Sequence, residues 1–386
     1  MANAHTVVVD HSRDRARWRT PARRGPRPGG SGASALKSIE DFGPNPGALS
    51  MLAYAPDDLP DGAPLVVVLH GCSQNAAGYD AASGWSRLAG ELGFAVVFPE
   101  QRSANNAGGC FNWFLTADAA RGLGETRSIR EMVEHMVKSH RIDRGRIYVT
   151  GLSAGGAMAA TLLADYPETF AAGAVIAGLP CGSATSVQEA FRAMSEPAEK
   201  SPAELGDQVR TASPGDGPWP RVLVMHGSRD ATVSPKNGDA LVEQWLNVHG
   251  AAPDDFQESA IGRHRRRVWT AGGRPVVESI QIEGMGHGAP LDGALGERKA
   301  PFMLDVGLSS TRRIADFFGV KGALDVKPAA AAAPAETAPI NSPSAAQDAT
   351  DRNAERDDGA RTWGSFSKRD IVGAISKALK SAGLMK

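Results

Sequence analysis

Cysteine, net charge and long apolar runs are all scarce in this chain, and each scarcity excludes a class of protein. Three cysteines in 386 residues, Cys72, Cys110 and Cys181, are too few for a disulfide scaffold and leave at least one thiol unpaired. A net charge of −1 gives no general attraction to nucleic acid, so nucleic acid is not expected as a partner. No apolar run approaches the ~18–20 residues that span a bilayer, so no transmembrane segment is expected.

Targeting and cofactor signals are missing as well. Residues 1–45 contain many arginines, but no apolar segment of about 7–15 residues follows them, as one would in a secretory signal peptide. The sequence therefore favours a cytoplasmic location, with an extracellular location by an unrecognised export route as the alternative. The chain carries no dinucleotide-binding motif and no metal-ligand spacing, so neither a metal nor an organic cofactor is expected.

Composition divides the chain into four parts. Residues 1–45 are rich in Arg, Gly, Pro and Ser, which predicts a flexible basic N-terminal arm. Residues 46–324 alternate between apolar and amphipathic segments, which predicts one folded domain. Residues 325–366 are Ala/Pro-rich and predict a linker, and residues 367–386 predict an amphipathic helix. The narrow apolar stripe of that helix could contact a surface or a partner, or dock back on the domain.

The central part shows the pattern of an α/β domain. Its predicted strands are uniformly apolar and lie at 65–69, 95–98, 147–150, 174–176, 222–225 and 277–282, with helices such as 85–92 and 129–140 between them. Uniformly apolar strands are typical of a mostly parallel sheet with helices on both faces. Residues 183–217 interrupt the alternation and predict an insertion with a short helix, placed where a lid or a substrate rim would lie.

One segment of the central part predicts a nucleophile. Gly151-Leu152-Ser153-Ala154-Gly155 follows a predicted strand and precedes a predicted helix. Strand, G-x-S-x-G and helix together form the nucleophile elbow of an α/β-hydrolase, in which a sharp turn presents the serine hydroxyl. The pentapeptide alone is a weak signal, and its position between strand and helix gives it weight.

A serine hydroxyl needs a histidine to remove its proton and a carboxylate to orient that histidine. The α/β-hydrolase order is Ser, then Asp or Glu, then His. Asp230 follows the apolar strand 222–225 and is the best acid, ahead of its rivals Asp239, Asp254 and Asp255. His287, in a Gly-rich loop after the strand 277–282, is the best base.

Two backbone N–H groups are needed to stabilise a developing oxyanion. One is that of Ala154, directly after the nucleophile. The other should come from the loop after an early strand, and His70-Gly71-Cys72 follows the strand 65–69. We therefore assign the second donor to the backbone of Cys72.

An aromatic cluster, Cys110-Phe111-Asn112-Trp113-Phe114, suits either a substrate rim or ordinary core packing. As a rim, it would contribute Trp113 and Asn112 to substrate binding. Together with the His70-Gly71-Cys72-Ser73-Gln74-Asn75 segment, Gly124-Glu125 and the elbow, it resembles the polyhydroxybutyrate-depolymerase-type esterase family, to which the feruloyl and acetylxylan esterases of carbohydrate esterase family 1 are related.

The resemblance covers about residues 46–320. It implies a serine esterase with Ser153, Asp230 and His287 as its triad, acting on short-chain hydroxyalkanoate esters or on their oligomers or polymers. A feruloyl- or acetylxylan-type esterase and a non-catalytic, hydrolase-like binding protein are the alternatives. The resemblance also places Cys72 and Cys110 in two loops at one edge of the sheet, where a cytoplasmic location favours reduced thiols over a Cys72–Cys110 disulfide.

Overall fold

The computed structural model describes residues 34–197, 199–215 and 217–320. The predicted linker 325–366 and C-terminal helix 367–386 lie outside the described residues, as does most of the predicted N-terminal arm. Within the described ranges, no helix is both long enough and apolar enough to cross a membrane.

Ten strands form one large sheet. They are β1 (Lys37–Ile39), β2 (Ser50–Tyr54), β3 (Leu65–Leu69), β4 (Ala95–Glu100), β5 (Ile147–Leu152), β6 (Ala172–Ile176), β7 (Arg221–Gly227), β8 (Phe256–Ile261), β9 (His264–Ala271) and β10 (Arg274–Ile282). The spatial order is β1-β2-β4-β3-β5-β6-β7-β10-β9-β8. The pairs from β4 to β10 are parallel, and antiparallel pairs complete both edges. Two further short strands, β11 (Ala289–Leu291) and β12 (Met303–Asp305), pair in parallel.

Helices cover both faces of this sheet. The α-helices of the described chain are α1 (Ala76–Ser83), α2 (Trp85–Leu92), α3 (Thr116–Ala119), α4 (Gly124–His140), α5 (Ala154–Asp165), α6 (Val187–Ser195), α7 (Pro202–Ala212), α8 (Lys236–His249) and α9 (Ser310–Phe318). Successive side chains of a strand point to opposite faces, and β3 shows this clearly. Leu65, Val67 and Leu69 enter one apolar cluster with α4, α5 and α8. Val66 and Val68 enter a second cluster with α1, α2 and α9. The predicted α/β-hydrolase architecture is therefore confirmed.

Three parts of the chain differ most from the sequence predictions. Strand β1 lies inside the segment predicted as a flexible arm, because Lys37–Ile39 pairs with β2 at the sheet edge. Helix α4 begins at Gly124 instead of residue 129, since its first turn is polar and carries no apolar periodicity. The insertion 183–217 holds two helices instead of one, and the second begins with a capping box between Ser201 and Glu204.

The parallel register brings four loops to one edge of the sheet. Leu69 at the end of β3 pairs with Gly151 near the end of β5, and Gly227 at the end of β7 pairs with Ile282 at the end of β10. The segments that follow these strands carry the predicted triad and the predicted oxyanion donors. The residues of the aromatic cluster lie elsewhere in the sequence. Ligands of open α/β sheets bind at this carboxyl edge.

Candidate active site

Ser153 occupies a strained turn between β5 and α5. Its backbone has φ 58° and ψ −118°, a conformation that residues other than glycine rarely adopt. The turn is tight, because a Cβ on Gly151 would overlap the carbonyl of Gly155. A Cβ on Gly155 would lie 2.5 Å from the carbonyl oxygen of His70. Both flanking glycines are therefore required by space, as the elbow motif predicts.

The structure brings the predicted nucleophile, base and acid together in a hydrogen-bonded row. Nε2 of His287 lies 2.9 Å from Oγ of Ser153. Nδ1 of the same ring lies 2.7 Å from Oδ2 of Asp230. These residues are separated by 134 and 57 positions along the chain, so only the fold aligns them. A neutral His287 with its proton on Nδ1 donates to Asp230 and offers its Nε2 lone pair to the serine hydroxyl.

Asp230 is held as a carboxylate inside the protein. Burial alone disfavours its charge, but hydrogen bonding from His226 and His287 and from backbone amides outweighs burial and lowers its pKa. Its Oδ1 accepts the backbone N–H groups of Thr232 and Val233, both at 2.9 Å. One oxygen is thus fixed by the turn, and the other faces His287.

A second histidine supports the acid from behind, and sequence reasoning missed it. His226 is buried at the end of β7, with Nε2 2.9 Å from the carbonyl oxygen of Val233 and 3.4 Å from Oδ2 of Asp230. It therefore braces the turn that holds Asp230. The rival acid Asp239 lies instead in the first turn of α8, beside a small cavity lined by His226, Arg265 and Arg267.

The His70–Gln74 loop packs directly on the elbow, as the position of the His70 carbonyl over Gly155 shows. Nδ1–H of His70 donates to the carbonyl oxygen of Gly71 at 2.8 Å, and its Nε2 accepts from the backbone N–H of Gln101 at 3.2 Å. The Gly71 carbonyl belongs to the same peptide group as the Cys72 N–H. Because that group is planar and trans, fixing its carbonyl also fixes the direction of the Cys72 N–H.

Cys72 and Cys110 form a disulfide bond, so the prediction of reduced thiols at these positions is wrong. The bond joins the loop after β3 to the aromatic loop, and Cys181 stays a free, buried thiol. The error came from the predicted compartment, because the two loops do meet at the sheet edge as the resemblance implied.

The aromatic loop is largely part of the core. Trp113 is buried in the first apolar cluster, with its ring edge-on to Phe114 at 5.5 Å. Both polar atoms of the Asn112 side chain are engaged, since Oδ1 accepts from Asn106 and Nδ2 donates to Asp118. Asn112 therefore shapes this loop, and its predicted contact with substrate loses its basis.

A buried carboxyl connects the aromatic loop to the His70 loop. Glu125 accepts from Nε2 of Gln101 at 2.5 Å and from the backbone N–H of Asn112 at 2.9 Å. Burial raises its pKa to about 8. Gln101 also donates its backbone N–H to His70, so one residue at the end of β4 positions both loops. Glu125 was visible in sequence only as part of the family motif.

The strained serine at the strand-to-helix turn and its row of His287 and Asp230 define a serine hydrolase of the α/β-hydrolase class. Within the residues that the structure describes, no cluster of three His, Cys, Asp or Glu side chains is arranged to hold a metal ion.

The model of the esterase PHB depolymerase family matches residues 49–270. The chain belongs to this family and is a serine carboxylic-ester hydrolase, as its motifs predicted.

Relatives of known name agree with this assignment. The chain is 45% identical to the poly(3-hydroxyalkanoate) depolymerase C of Paucimonas lemoignei over 298 residues, which cover 76% of this chain and 72% of the relative. It is 32% identical to an acetylxylan esterase of Coprinopsis cinerea over 269 residues, covering 68% and 71% of the two chains. An acetyl xylan esterase structure from Aspergillus awamori superposes with a TM-score of 0.63 at 26% identity, covering 74% of this chain and 99% of that chain.

The disulfide makes a direct prediction for the purified protein. Alkylation of the denatured, unreduced chain should label one thiol, Cys181, and prior reduction should raise the number to three. Because the bond closes a loop of 38 residues, its loss in Cys110→Ser should cost roughly 4 kcal/mol and lower the melting temperature by several degrees. Cys181→Ser is the control and should abolish labelling without reduction. Three labelled thiols in the unreduced chain would contradict the bond.

Proposed function

We propose that Ser153, His287 and Asp230 carry out ester hydrolysis through an acyl-Ser153 intermediate. The observation that carries this proposal is the position of His287, within hydrogen-bond distance of both partners. As Oγ of Ser153 attacks the ester carbonyl carbon, its proton passes to Nε2 of His287. The same nitrogen then gives the proton to the leaving alkoxide, and the alcohol departs. In the second half, Nε2 of His287 takes a proton from water as the water oxygen attacks the acyl carbon, and it returns this proton to Oγ of Ser153 as the acid departs.

The backbone N–H groups of Ala154 and Cys72 are proposed to stabilise the tetrahedral oxyanion. Ala154 is the first residue of α5, so its N–H lies among the helix-terminal donors that lack intrahelical partners. The Cys72 N–H is held by three restraints: the His70 hydrogen bond to the Gly71 carbonyl, the disulfide to Cys110, and packing on the elbow. Preorganised donors of this kind contribute about 3–4 kcal/mol each to transition-state stability.

The substrates that we propose are short-chain hydroxyalkanoate esters and their oligomers. The 45% identity to a chain named poly(3-hydroxyalkanoate) depolymerase C supports this choice. Acetylated xylan is the second candidate, supported by the lower identity to an acetylxylan esterase. A non-catalytic binding protein is disfavoured, because it would have no need of the strained serine or of the buried carboxylate behind His287.

The disulfide also bears on location. Cysteine pairs of this kind persist in oxidising compartments and are rare in the cytosol. We therefore propose that the enzyme works outside the cytoplasm, the alternative to the location that the sequence favoured.

Competition between the two substrate candidates tests the proposal. The purified chain should hydrolyse a 3-hydroxybutyrate trimer with a kcat/KM at least about tenfold above that for acetylated xylobiose, a ratio worth roughly 1.4 kcal/mol. The opposite ranking would favour the acetylxylan alternative, and no turnover of either by a folded chain would favour the binding protein.

A chain ending at residue 323 lacks residues 367–386, which the sequence predicts to be an amphipathic helix, and tests in the same assay whether they contact a surface. It should turn over the trimer normally and bind polymer granules more weakly, because the truncation removes the predicted apolar stripe of Ile371, Ile375 and Leu379. Equal granule binding by both chains would contradict a surface role for the helix.

A further inference from the structure

Phe302 has a backbone conformation that its own side chain disfavours. Its φ is 62°, in the left-handed region where a bulky residue is an outlier. The surroundings impose this geometry. The carbonyl oxygen of Phe302 accepts the backbone N–H of Ala289 at 2.8 Å, and a Cβ on Gly288 would lie 2.5 Å from that same oxygen. Strain of this kind persists only where neighbouring structure fixes it, and it points to a local role.

The ring that this strained backbone presents contacts the catalytic base. The Phe302 and His287 rings lie edge-to-face, with centroids 5.9 Å apart and planes at 73°. The His287 side chain is only 7% exposed, whereas Phe302 is half-buried. The Phe302 ring therefore lies against the imidazole, and the residue itself is only partly buried.

The residue before Phe302 connects the same segment to the oxyanion loop. Nε2 of Gln74 donates a hydrogen bond to the carbonyl oxygen of Pro301 at 2.9 Å. The backbone N–H of Gly71 donates to Oε1 of Gln74 at 2.8 Å. Two adjacent residues thus contact the proposed oxyanion loop and the base. The backbone of this segment is consequently tied to the proposed oxyanion loop, and the Phe302 ring contacts the base.

We propose that Phe302 forms the wall of the site on the alcohol side of the ester and selects esters of apolar alcohols. This inference rests on the proposed function. His287 must protonate the leaving alkoxide, so the alcohol portion has to lie against the imidazole when the bond breaks. An aromatic ring in contact with that imidazole borders the alcohol portion, while the acyl portion stays bonded to Ser153. An apolar wall at this position favours an alkyl or aryl alcohol, such as the hydroxyl end of a hydroxyalkanoate unit, over a strongly hydrated one.

The test varies the two halves of the ester separately. One series keeps the butyryl group and changes the alcohol from methyl to benzyl; the other keeps the ethyl group and changes the acyl chain from acetyl to hexanoyl. The main variant is Phe302→Gly, because glycine adopts this φ without strain and the change removes the whole benzyl side chain. Phe302→Tyr retains the ring, and Phe256→Ala removes a half-buried ring that packs on Trp269 at the far edge of the sheet.

Phe302→Gly should lower kcat/KM for benzyl butyrate by about tenfold or more and for methyl butyrate by less than about threefold, with the acyl ranking unchanged. Phe302→Tyr and Phe256→Ala should keep the preference for the benzyl ester. Labelling of Ser153 by a small fluorophosphonate at the normal rate would show that Phe302→Gly leaves the triad assembled.

An equal loss for all alcohols, or a changed acyl ranking, would overturn the assignment of Phe302 to the alcohol side. If Phe302→Gly does not fold, a Phe302→Tyr variant that loses the benzyl preference while labelling normally would also overturn it. Absence of turnover by the unsubstituted chain contradicts the proposed function itself, and with it this inference.

Discussion

Ser153→Ala is expected to lower kcat for a soluble ester by on the order of 10⁶-fold, as loss of a triad nucleophile does in other serine hydrolases. The methyl group of alanine fits the elbow, so the fold should be kept. Without Oγ, the ester has no covalent partner, and the oxyanion donors and binding alone leave only a small residual rate over water. Steady-state kinetics with p-nitrophenyl butyrate measures the loss.

Ser139→Ala is the matched control for this change. Ser139 lies in the last turn of α4, and its exposed hydroxyl bonds only to the carbonyl of His135 one turn earlier in the interactions that the structure describes. Its removal should leave kcat within about twofold, as surface substitutions usually do. Near-normal activity in Ser153→Ala would refute the nucleophile assignment.

Asp230→Asn is expected to lower kcat by about 10⁴-fold while leaving the fold intact. Oδ1 accepts two backbone N–H groups, so the amide oxygen of asparagine should take that place. The amide NH₂ then faces Nδ1 of His287, where the carboxylate oxygen had accepted a hydrogen bond from Nδ1–H. His287 must move its own proton to Nε2, and it can no longer accept the proton of Ser153.

Asp239→Asn separates the two candidate acids. Asp239 lies in the first turn of α8 and lines a cavity beside His226, so its amide should leave kcat nearly unchanged. Circular dichroism and melting temperature should show both variants folded. Full activity in Asp230→Asn together with loss in Asp239→Asn would transfer the role of the acid to Asp239.

The sequence alone predicted those parts of the structure that depend on a short segment of the chain. Uniformly apolar segments such as 65–69 predicted buried parallel strands, because burial on both faces leaves no polar position. Gly151 and Gly155 predicted the elbow, since the tight turn leaves no room for a Cβ atom at either position. Chain order then selected Asp230 and His287, and the structure brings both to Ser153.

Other parts depend on contacts that leave no local pattern. Whether Asn112 faces substrate or the core is decided by Asn106 and Asp118, and an aromatic cluster is compatible with both. Phe302 is a single aromatic in an irregular segment, so its contact with His287 has no periodic signal. The expected cytoplasmic location predicted reduced thiols, but the proximity of the two loops was the stronger argument and favours the disulfide bond.

Covalent labelling of the active serine tests the central assignment most directly. A fluorophosphonate reacts with a serine only where a base and oxyanion donors activate it. The unsubstituted chain should incorporate one probe per molecule, and peptide mapping should place it on Ser153. Asp230→Asn should label far more slowly, and Ser153→Ala should not label. Stoichiometric labelling of any other serine, or none in a folded chain, would contradict the proposed catalytic centre.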